Sequence, residues 1–160
     1  YKLMEQDFTY KNAHTEKEFE QARMLFKEYA DALGVDLSFQ DFKKELDTIQ
    51  VQYNKPDGGL LLVYANENPI ACAAVRRFDE GTAELKRMYV KNEYRGHRIG
   101  VELIKRSLSM AKDLGHKKIR LDTLENMAKA QELYKSFGFY IIPPYRFNPI
   151  PGTVYMEKIL

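Results

Sequence analysis

Tyr94-Arg95-Gly96-His97-Arg98-Ile99-Gly100 lies between a strand pattern ending near Val90 and a helical pattern running to Leu114. Its two glycines permit turns closed to other residues and let the backbone come close to a ligand. Arg95, His97 and Arg98 add basic or ionisable side chains. The loop feeds directly into a helix, whose first amides lack internal partners and whose dipole is positive at that end. Free amides, a positive helix end and flanking arginines together suit a phosphate-bearing ligand. A surface turn with solvated charges satisfies the same local pattern, so the decision falls to what surrounds the loop.

Upstream, Leu60-Leu61-Leu62-Val63-Tyr64-Ala65 is a continuous apolar run, as in a strand covered on both faces. Asn66-Glu67-Asn68-Pro69 turns it into a strand from Ile70 to Phe78, and Asp79-Glu80-Gly81 turns that into Thr82 to Val90. Loops this short predict an antiparallel meander. Downstream, Ile99, Leu103, Ile104, Leu108, Ala111 and Leu114 give the helix an apolar face, and Gly115 ends it. A strand from Lys118 to Thr123 follows, and the intervening crossover helix permits parallel pairing with Thr82–Val90. Ala130, Leu133, Tyr134 and Phe137 mark a last helix closing at Gly138. A short strand from Phe139 to Ile142, a loop stiffened by Pro143, Pro144, Pro149 and Pro151, and a closing strand from Thr153 to Ile159 complete the chain.

Toward the N-terminus, Asp7 to Asn12 reads as a first strand. Thr15-Glu16-Lys17-Glu18 has the form of a capping box, a hydroxyl and a carboxylate each taking an exposed amide. Phe19, Ala22, Phe26, Tyr29 and Leu33 then repeat at helical spacing up to a stop at Gly34. Beyond the connector Gly34-Val35-Asp36-Leu37, a second helix is expected from Ser38, with Phe39, Phe42, Leu46 and Ile49 on its apolar side. Pro56, Gly58 and Gly59 end the helical section.

A chain of 160 residues is the size of one domain with a real core. Hydrophobic content of 44% with 30% charged residues describes an ordinary globular protein, and a net charge of +2 is too small to mark a nucleic-acid binder. No apolar run approaches the ~20 residues needed to cross a bilayer. No signal-peptide pattern opens the chain, and the expectation is a cytoplasmic protein that engages neither membrane nor nucleic acid. Cys72 is the only cysteine, which excludes an internal disulfide and a cysteine-rich metal site. Its setting, Ile70-Ala71-Cys72-Ala73-Ala74-Val75, suits a buried inert thiol.

The loop, with Arg95, Gly96 and Gly100, resembles the Arg/Gln-x-x-Gly-x-Gly/Ala loop of the GNAT family of N-acetyltransferases. Ala83-Glu84-Leu85-Lys86-Arg87-Met88-Tyr89-Val90 is similar to that family's fourth strand, and Leu133-Tyr134-Lys135-Ser136-Phe137-Gly138-Phe139 to its last helix and the turn beyond. Order and separation agree from about Leu60 to the C-terminus. Two positions depart from the pattern: Arg98 replaces its middle glycine, and Met127 an asparagine that often opens the last helix. The resemblance implies an α/β (α+β) single-domain acetyltransferase fold over residues 1–160, with a mixed, mostly antiparallel sheet of roughly six to seven strands flanked by about four helices. It implies acetyl-CoA as co-substrate and no metal. In similar proteins the junction of the first two helices walls the acceptor pocket.

The implied reaction moves an acetyl group from acetyl-CoA to an amine. An ammonium has no lone pair, so the amine must lose a proton before it attacks, and collapse of the tetrahedral intermediate expels a thiolate that an acid protonates. The resemblance points to Glu84 as a base acting through water; Glu84 also reads as an ordinary glutamate paired with Lys86 or Arg77. Period-2 geometry sets Glu84, Lys86 and Met88 on one face unless a bulge intervenes. Tyr134 is implied as the acid beside the sulfur, though its helical stripe also suits a core residue. For the cofactor, the resemblance assigns the backbone of Arg95, Gly96, His97, Arg98, Ile99 and Gly100 to the pyrophosphate and that of Met88, Tyr89 and Val90 to the pantetheine arm and oxyanion. Tyr29, Phe39, Arg76, Arg77, Asp122, Tyr145, Arg146 and Asn148 lie in segments that border the acceptor pocket of similar proteins. Of these, Tyr29, Arg76, Asp122 and Tyr145 are the acceptor candidates carried forward. Asp122 suits pairing with an arginine, and Arg76 or Arg146 a hold on an acceptor carboxylate.

The expectation is therefore an N-acetyltransferase for a primary amine of a small molecule, such as an amino acid or related metabolite. A peptide acceptor, and an acyl-CoA sensor of the same fold without catalysis, stay open beside it; Glu84 and Tyr134 favour catalysis over the sensor. A nucleic-acid module built on Arg95, His97, Arg98, Lys105 and Arg106 lacks a series of stacking aromatics. A homodimer is admitted by the resemblance alone.

Overall fold

Alternation and turn chemistry build a seven-stranded sheet that wraps a polar gap. The computed structural model describes residues 7–34, 36–38 and 41–160. Its strands are β1 (Phe8–Asn12), β2 (Gly59–Ala65), β3 (Asn68–Asp79), β4 (Thr82–Val90), β5 (Lys118–Thr123), β6 (Tyr140–Ile142) and β7 (Val154–Ile159). Its helices are α1 (Glu16–Leu33), α2 (Phe42–Asp47), α3 (Ile49–Gln52), α4 (Ile99–Asp113) and α5 (Ala128–Ser136). Sheet order is β1-β2-β3-β4-β5-β7-β6. Every neighbouring pair is antiparallel except β4–β5, joined in parallel across α4.

Thr15 caps α1 as its sequence requires. The hydroxyl accepts from the Glu18 amide at 3.1 Å, and Glu18 Oε1 accepts from the Thr15 amide at 3.1 Å. At the other end Gly34 adopts the left-handed conformation, φ 66°, that closes a helix. The second helical segment differs from expectation. It starts at Phe42 and breaks at Thr48, giving two short helices where one was expected. Thr48 turns its hydroxyl onto the Lys44 carbonyl at 2.6 Å and accepts from Gln52 Nε2 at 2.8 Å, local bonds that compete with a continuous helix. Phe39 and Val35 lie outside the described residues.

The sheet separates two apolar layers. On one side Phe19, Ala22 and Phe26 of α1 pack with Ile49 and Tyr53 against Leu60, Leu62, Cys72 and Ala74. On the other, Ile99, Leu103 and Ile104 of α4 and Tyr134 of α5 pack against Val63, Val75, Ala83, Leu85 and Ile119. Strands β2 and β3 are buried on both faces, which is why their sequences are runs of apolar residues without alternation.

One irregularity organises the site. Lys86 pairs with Ala74 and Tyr89 with Cys72, so β4 carries one residue more than β3 over that interval. The extra residue is a β-bulge with Arg87 at φ 57°, left-handed and unusual for an arginine. The bulge reverses the alternation beyond it. Met88 and Val90 pack with the α4 side, whereas Tyr89 packs with the α1 side. The expected shared face of Glu84, Lys86 and Met88 is thereby corrected: Met88 points away from the other two. Strand β4 also parts from β5, since only Thr82, Ala83 and Glu84 pair across to Lys118, Ile119 and Arg120.

Candidate active site

The gap between β4 and β5 connects two clefts. The larger, about 730 Å³, lies on the α4–α5 side and is lined by Met88–Val90, Arg95, Gly96, Arg98–Val101, Asn126–Ala130, Leu133 and Tyr134. The smaller, about 240 Å³, opens toward α1 between Tyr29, Ala32 and Leu33 and the segment Leu124–Met127. Met88, Tyr89, Val90, Arg95, Asn126 and Met127 line both, so the clefts meet at the splayed strand.

The loop before α4 forms the end of the larger cleft. Gly96 sits at φ 91°, a conformation that a side chain rarely adopts. Arg98 caps α4 at φ 61° and ψ 21°, so an arginine takes the left-handed geometry for which the pattern carries a glycine. A Cβ on Gly100 would meet only Leu133 Cδ2, at an ordinary 3.6 Å. Protein packing therefore does not demand glycine there, and its smallness keeps the cleft open beside the free amides of the helix start. Arg95 reaches back to the Val90 carbonyl at 3.3 Å. His97, by contrast, turns out of the cleft and meets the Phe8 ring edge-on at 5.6 Å.

Tyr134 is buried where the cleft narrows to the gap, against Phe139 at 5.6 Å. Burial, with Tyr29 and Asp122 nearby, pushes its hydroxyl well above the ordinary tyrosine range, so it stays protonated. A chamber of about 30 Å³, the size of a water or an ammonium group, lies behind it among Tyr29, Lys86, Arg87, Asp122 and Met127. Asp122 Oδ2 is closed off from solvent and accepts no hydrogen bond among the described residues. Lys86, 4% exposed, has its pKa lowered to about 8 by burial and by Arg87, against the opposing pull of Glu84 and Asp122. Arg87 packs under Tyr29 and Phe42 and is held by Glu45 through Nη2–Oε1 at 2.6 Å and Nε–Oε2 at 3.0 Å.

Glu84 has different company. It is fully buried, and Oε1 accepts from Arg76 Nε at 3.0 Å and Arg146 Nη2 at 2.8 Å. Oε2 accepts from the Tyr145 hydroxyl at 2.8 Å. Burial alone would raise its pKa; Lys86, Arg146 and Arg76 outweigh burial and hold the carboxyl below the usual range. None of the clefts around the gap is lined by Glu84. Through Tyr145 and Arg146 it ties the β6–β7 loop to the sheet, and the same loop carries Asn148, Ile150 and Thr153 to the wall of a second small chamber beside Asp122.

The fold thus brings Tyr29, Asp122, Met88 and Tyr134 together at the gap, and gathers Arg76, Tyr145 and Arg146 around Glu84 instead. Arg76, Arg77 and Arg146 also border a separate recess near Gln52 and Phe78. Lys86 and the Arg87–Glu45 pair were missed by sequence reasoning. Two successive basic residues inside an otherwise buried strand were the available clue, because only a bulge seats both on one face.

Comparison with known proteins agrees with this architecture. Residues 18–139 match the model of the acetyltransferase (GNAT) family. Over 138 residues the chain is 42% identical to an uncharacterised N-acetyltransferase of Schizosaccharomyces pombe, covering 84% of each. Among solved structures, an acetyltransferase from Streptococcus agalactiae aligns with a TM-score of 0.78 at 22% identity, over 96% of this chain and 98% of that one. The PaiA N-acetyltransferase of Thermoplasma acidophilum, in complex with coenzyme A, gives a TM-score of 0.71 at 17% identity, over 96% and 99%.

Proposed function

Because the chain belongs to the acetyltransferase (GNAT) family, we propose that it transfers the acetyl group of acetyl-CoA to a primary amine of a small molecule. The observation that carries this reading is the meeting of two clefts at a gap bordered by a protonated Tyr134 and an Asp122 oxygen that meets no donor among the described residues. The larger cleft would take coenzyme A. Backbone amides at the start of α4 and the Arg95 and Arg98 side chains suit the pyrophosphate, and the open edge of β4 at Met88–Val90 suits the pantetheine arm.

The acceptor would enter from the α1 side. Asp122 is suited to receive its ammonium, since a buried carboxylate oxygen without a donor is costly until one arrives. Loss of the amine proton, by way of Asp122, frees the lone pair for attack on the thioester. Tyr134, held protonated, then supplies a proton to the departing sulfur. In this scheme Glu84 is a positioning residue, which fixes the β6–β7 loop as the far wall of the acceptor site, and not the base. The narrowness of the chambers beside Asp122 favours a small acceptor over a peptide segment.

A thiol-release screen with acetyl-CoA over amino acids, polyamines, aminoglycosides and short peptides tests the reading. Acetylation of a small amine, lost without loss of coenzyme A binding in Tyr134→Phe, supports it. Coenzyme A binding with no thiol release on any amine overturns it in favour of a sensor.

A further inference from the structure

Among the described residues, Met127 alone lines both clefts and both small chambers at the β4–β5 gap. It opens α5 at φ −99° and ψ 55°, its amide on the Leu124 carbonyl at 3.0 Å and its carbonyl accepting from the Gln131 amide at 3.0 Å. The side chain is half-buried, and the Thr123 hydroxyl donates to its sulfur at 3.7 Å. Backbone and sulfur are both held, which gives a fixed place to an unbranched thioether that otherwise adapts to its surroundings. Behind it lies the second chamber, about 30 Å³, with Leu33, Leu37, Leu124 and Ile150 in its wall. That apolar chamber and the larger cleft share no other described residue, so Met127 is the partition between them.

We propose that Met127 is a specificity-determining residue for the acyl donor, a stop that admits acetyl and turns away longer acyl groups. The inference rests on the acetyltransferase reading given above and specifies the group transferred. Transfer breaks the thioester C–S bond and forms a C–N bond at the gap, the amine proton leaving by way of Asp122 and the thiolate taking one from Tyr134. The acyl tail has to extend away from the pantetheine arm, which takes up the larger cleft. Ahead of it the chamber beside Asp122, about 30 Å³, holds one small group, and the ammonium takes that place. The direction left leads to the apolar chamber, and Met127 stands across it. An acetyl methyl needs no more than the gap, whereas further methylenes would have to displace the thioether.

The test is thiol release from acetyl-, propionyl-, butyryl- and hexanoyl-CoA over the amine panel given above, in wild type, Met127→Ala, Met127→Val and Met127→Leu. The readout is the ratio of kcat/KM between donors within one variant, from which shared effects on folding and on binding of coenzyme A or the amine cancel. Exclusion of two methylenes from an apolar site predicts a wild-type preference for acetyl over butyryl of about 100-fold or more. Met127→Ala should narrow it to within about tenfold by opening the apolar chamber to the tail, and Met127→Val should do so in part. Met127→Leu, close in volume, should keep the wild-type preference. The valine variant decides the matter where the alanine one yields no folded protein. Equal use of acetyl- and butyryl-CoA by wild type, or an unchanged ratio in the truncated variants, overturns the inference while the acetyltransferase reading stands. Coenzyme A binding without thiol release from any donor on any amine overturns both.

Discussion

Replacing Glu84 with glutamine separates a base from a positioning residue, because the two roles predict different losses. The wild-type carboxylate accepts from Arg76, Arg146 and Tyr145 at 2.8–3.0 Å and is fully buried. Glutamine keeps the shape and one acceptor oxygen but turns an amide N–H toward donors and withdraws the charge. Breaking a buried ion pair from one side costs roughly 3–5 kcal/mol. The Arg76 and Arg146 side chains are 24% and 21% exposed and can partly recover solvation, so the low end applies. The expected loss is about 3 kcal/mol, or a drop on the order of 10 °C in Tm for a chain of this size.

The pH dependence gives a second readout. The folded-state pKa of Glu84 lies below its ordinary 4.5. Its contribution to stability is therefore fully present above 4.5 and is lost as pH falls through the folded value. Glu84→Gln should remove that part of the acid sensitivity, measured as the change in urea midpoint between neutral and acidic pH. Kinetically, a displaced β6–β7 loop raises KM for the acceptor and leaves the acid limb of the kcat profile where it was. A variant as stable as wild type that loses kcat and shifts that limb would refute the positioning role and return Glu84 to the chemistry.

Tyr134→Phe should lower kcat by about 100-fold or more, the scale of a general acid, with coenzyme A affinity by calorimetry nearly unchanged; equal loss of both would indicate packing alone. Gly100→Ala should leave stability equal or raise it by up to about 1 kcal/mol, while KM for acetyl-CoA rises because the new methyl enters the cleft; unchanged KM would remove this glycine from the cofactor site. Lys86 titrates near 8 in the folded chain against 10.5 ordinarily, so folding works against its charge at neutral pH and ceases to do so as pH rises between those values. Wild type should therefore gain roughly 3 kcal/mol over Lys86→Met between pH 8 and 10.5 in urea unfolding, and equal gains would contradict the burial argument.

The fold was legible where local chemistry and long-range need agree. Thr82–Val90 and Lys118–Thr123 have the bounds that their patterns predict, and Thr15 and Gly34 delimit α1 through capping and left-handed closure. The parallel pairing of β4 and β5 followed from a crossover helix between strands. The second helical section was read as continuous because Phe42, Leu46 and Ile49 keep helical spacing. Apolar period does not record that the Thr48 hydroxyl can satisfy the Lys44 carbonyl and let the helix turn. His97 looked like a loop cation but packs against Phe8, far away in sequence, and no spacing rule reaches that contact.

Which candidate residues the fold would bring together was only partly legible, for a reason that traces to Arg87. Alternation read straight through β4 gives Glu84, Lys86 and Met88 a common outlook, and the family resemblance implied a base at Glu84. With one additional residue at Arg87, Met88 faces the larger cleft while Lys86 and Arg87 both face α1. The added twist of a bulge also accounts for the loss of pairing to β5 past Glu84, which leaves the backbone of Met88–Val90 open along the cleft. Glu84 lies on the paired side of that transition, inside the sheet, and a carboxylate so placed finds arginines before it finds water. Asp122 lies on the parted side, where its neighbour across the gap is a chamber instead of a strand. Two acids on adjacent strands thus differ in surroundings because the ladder ends between them, and a single backbone irregularity decides where it ends.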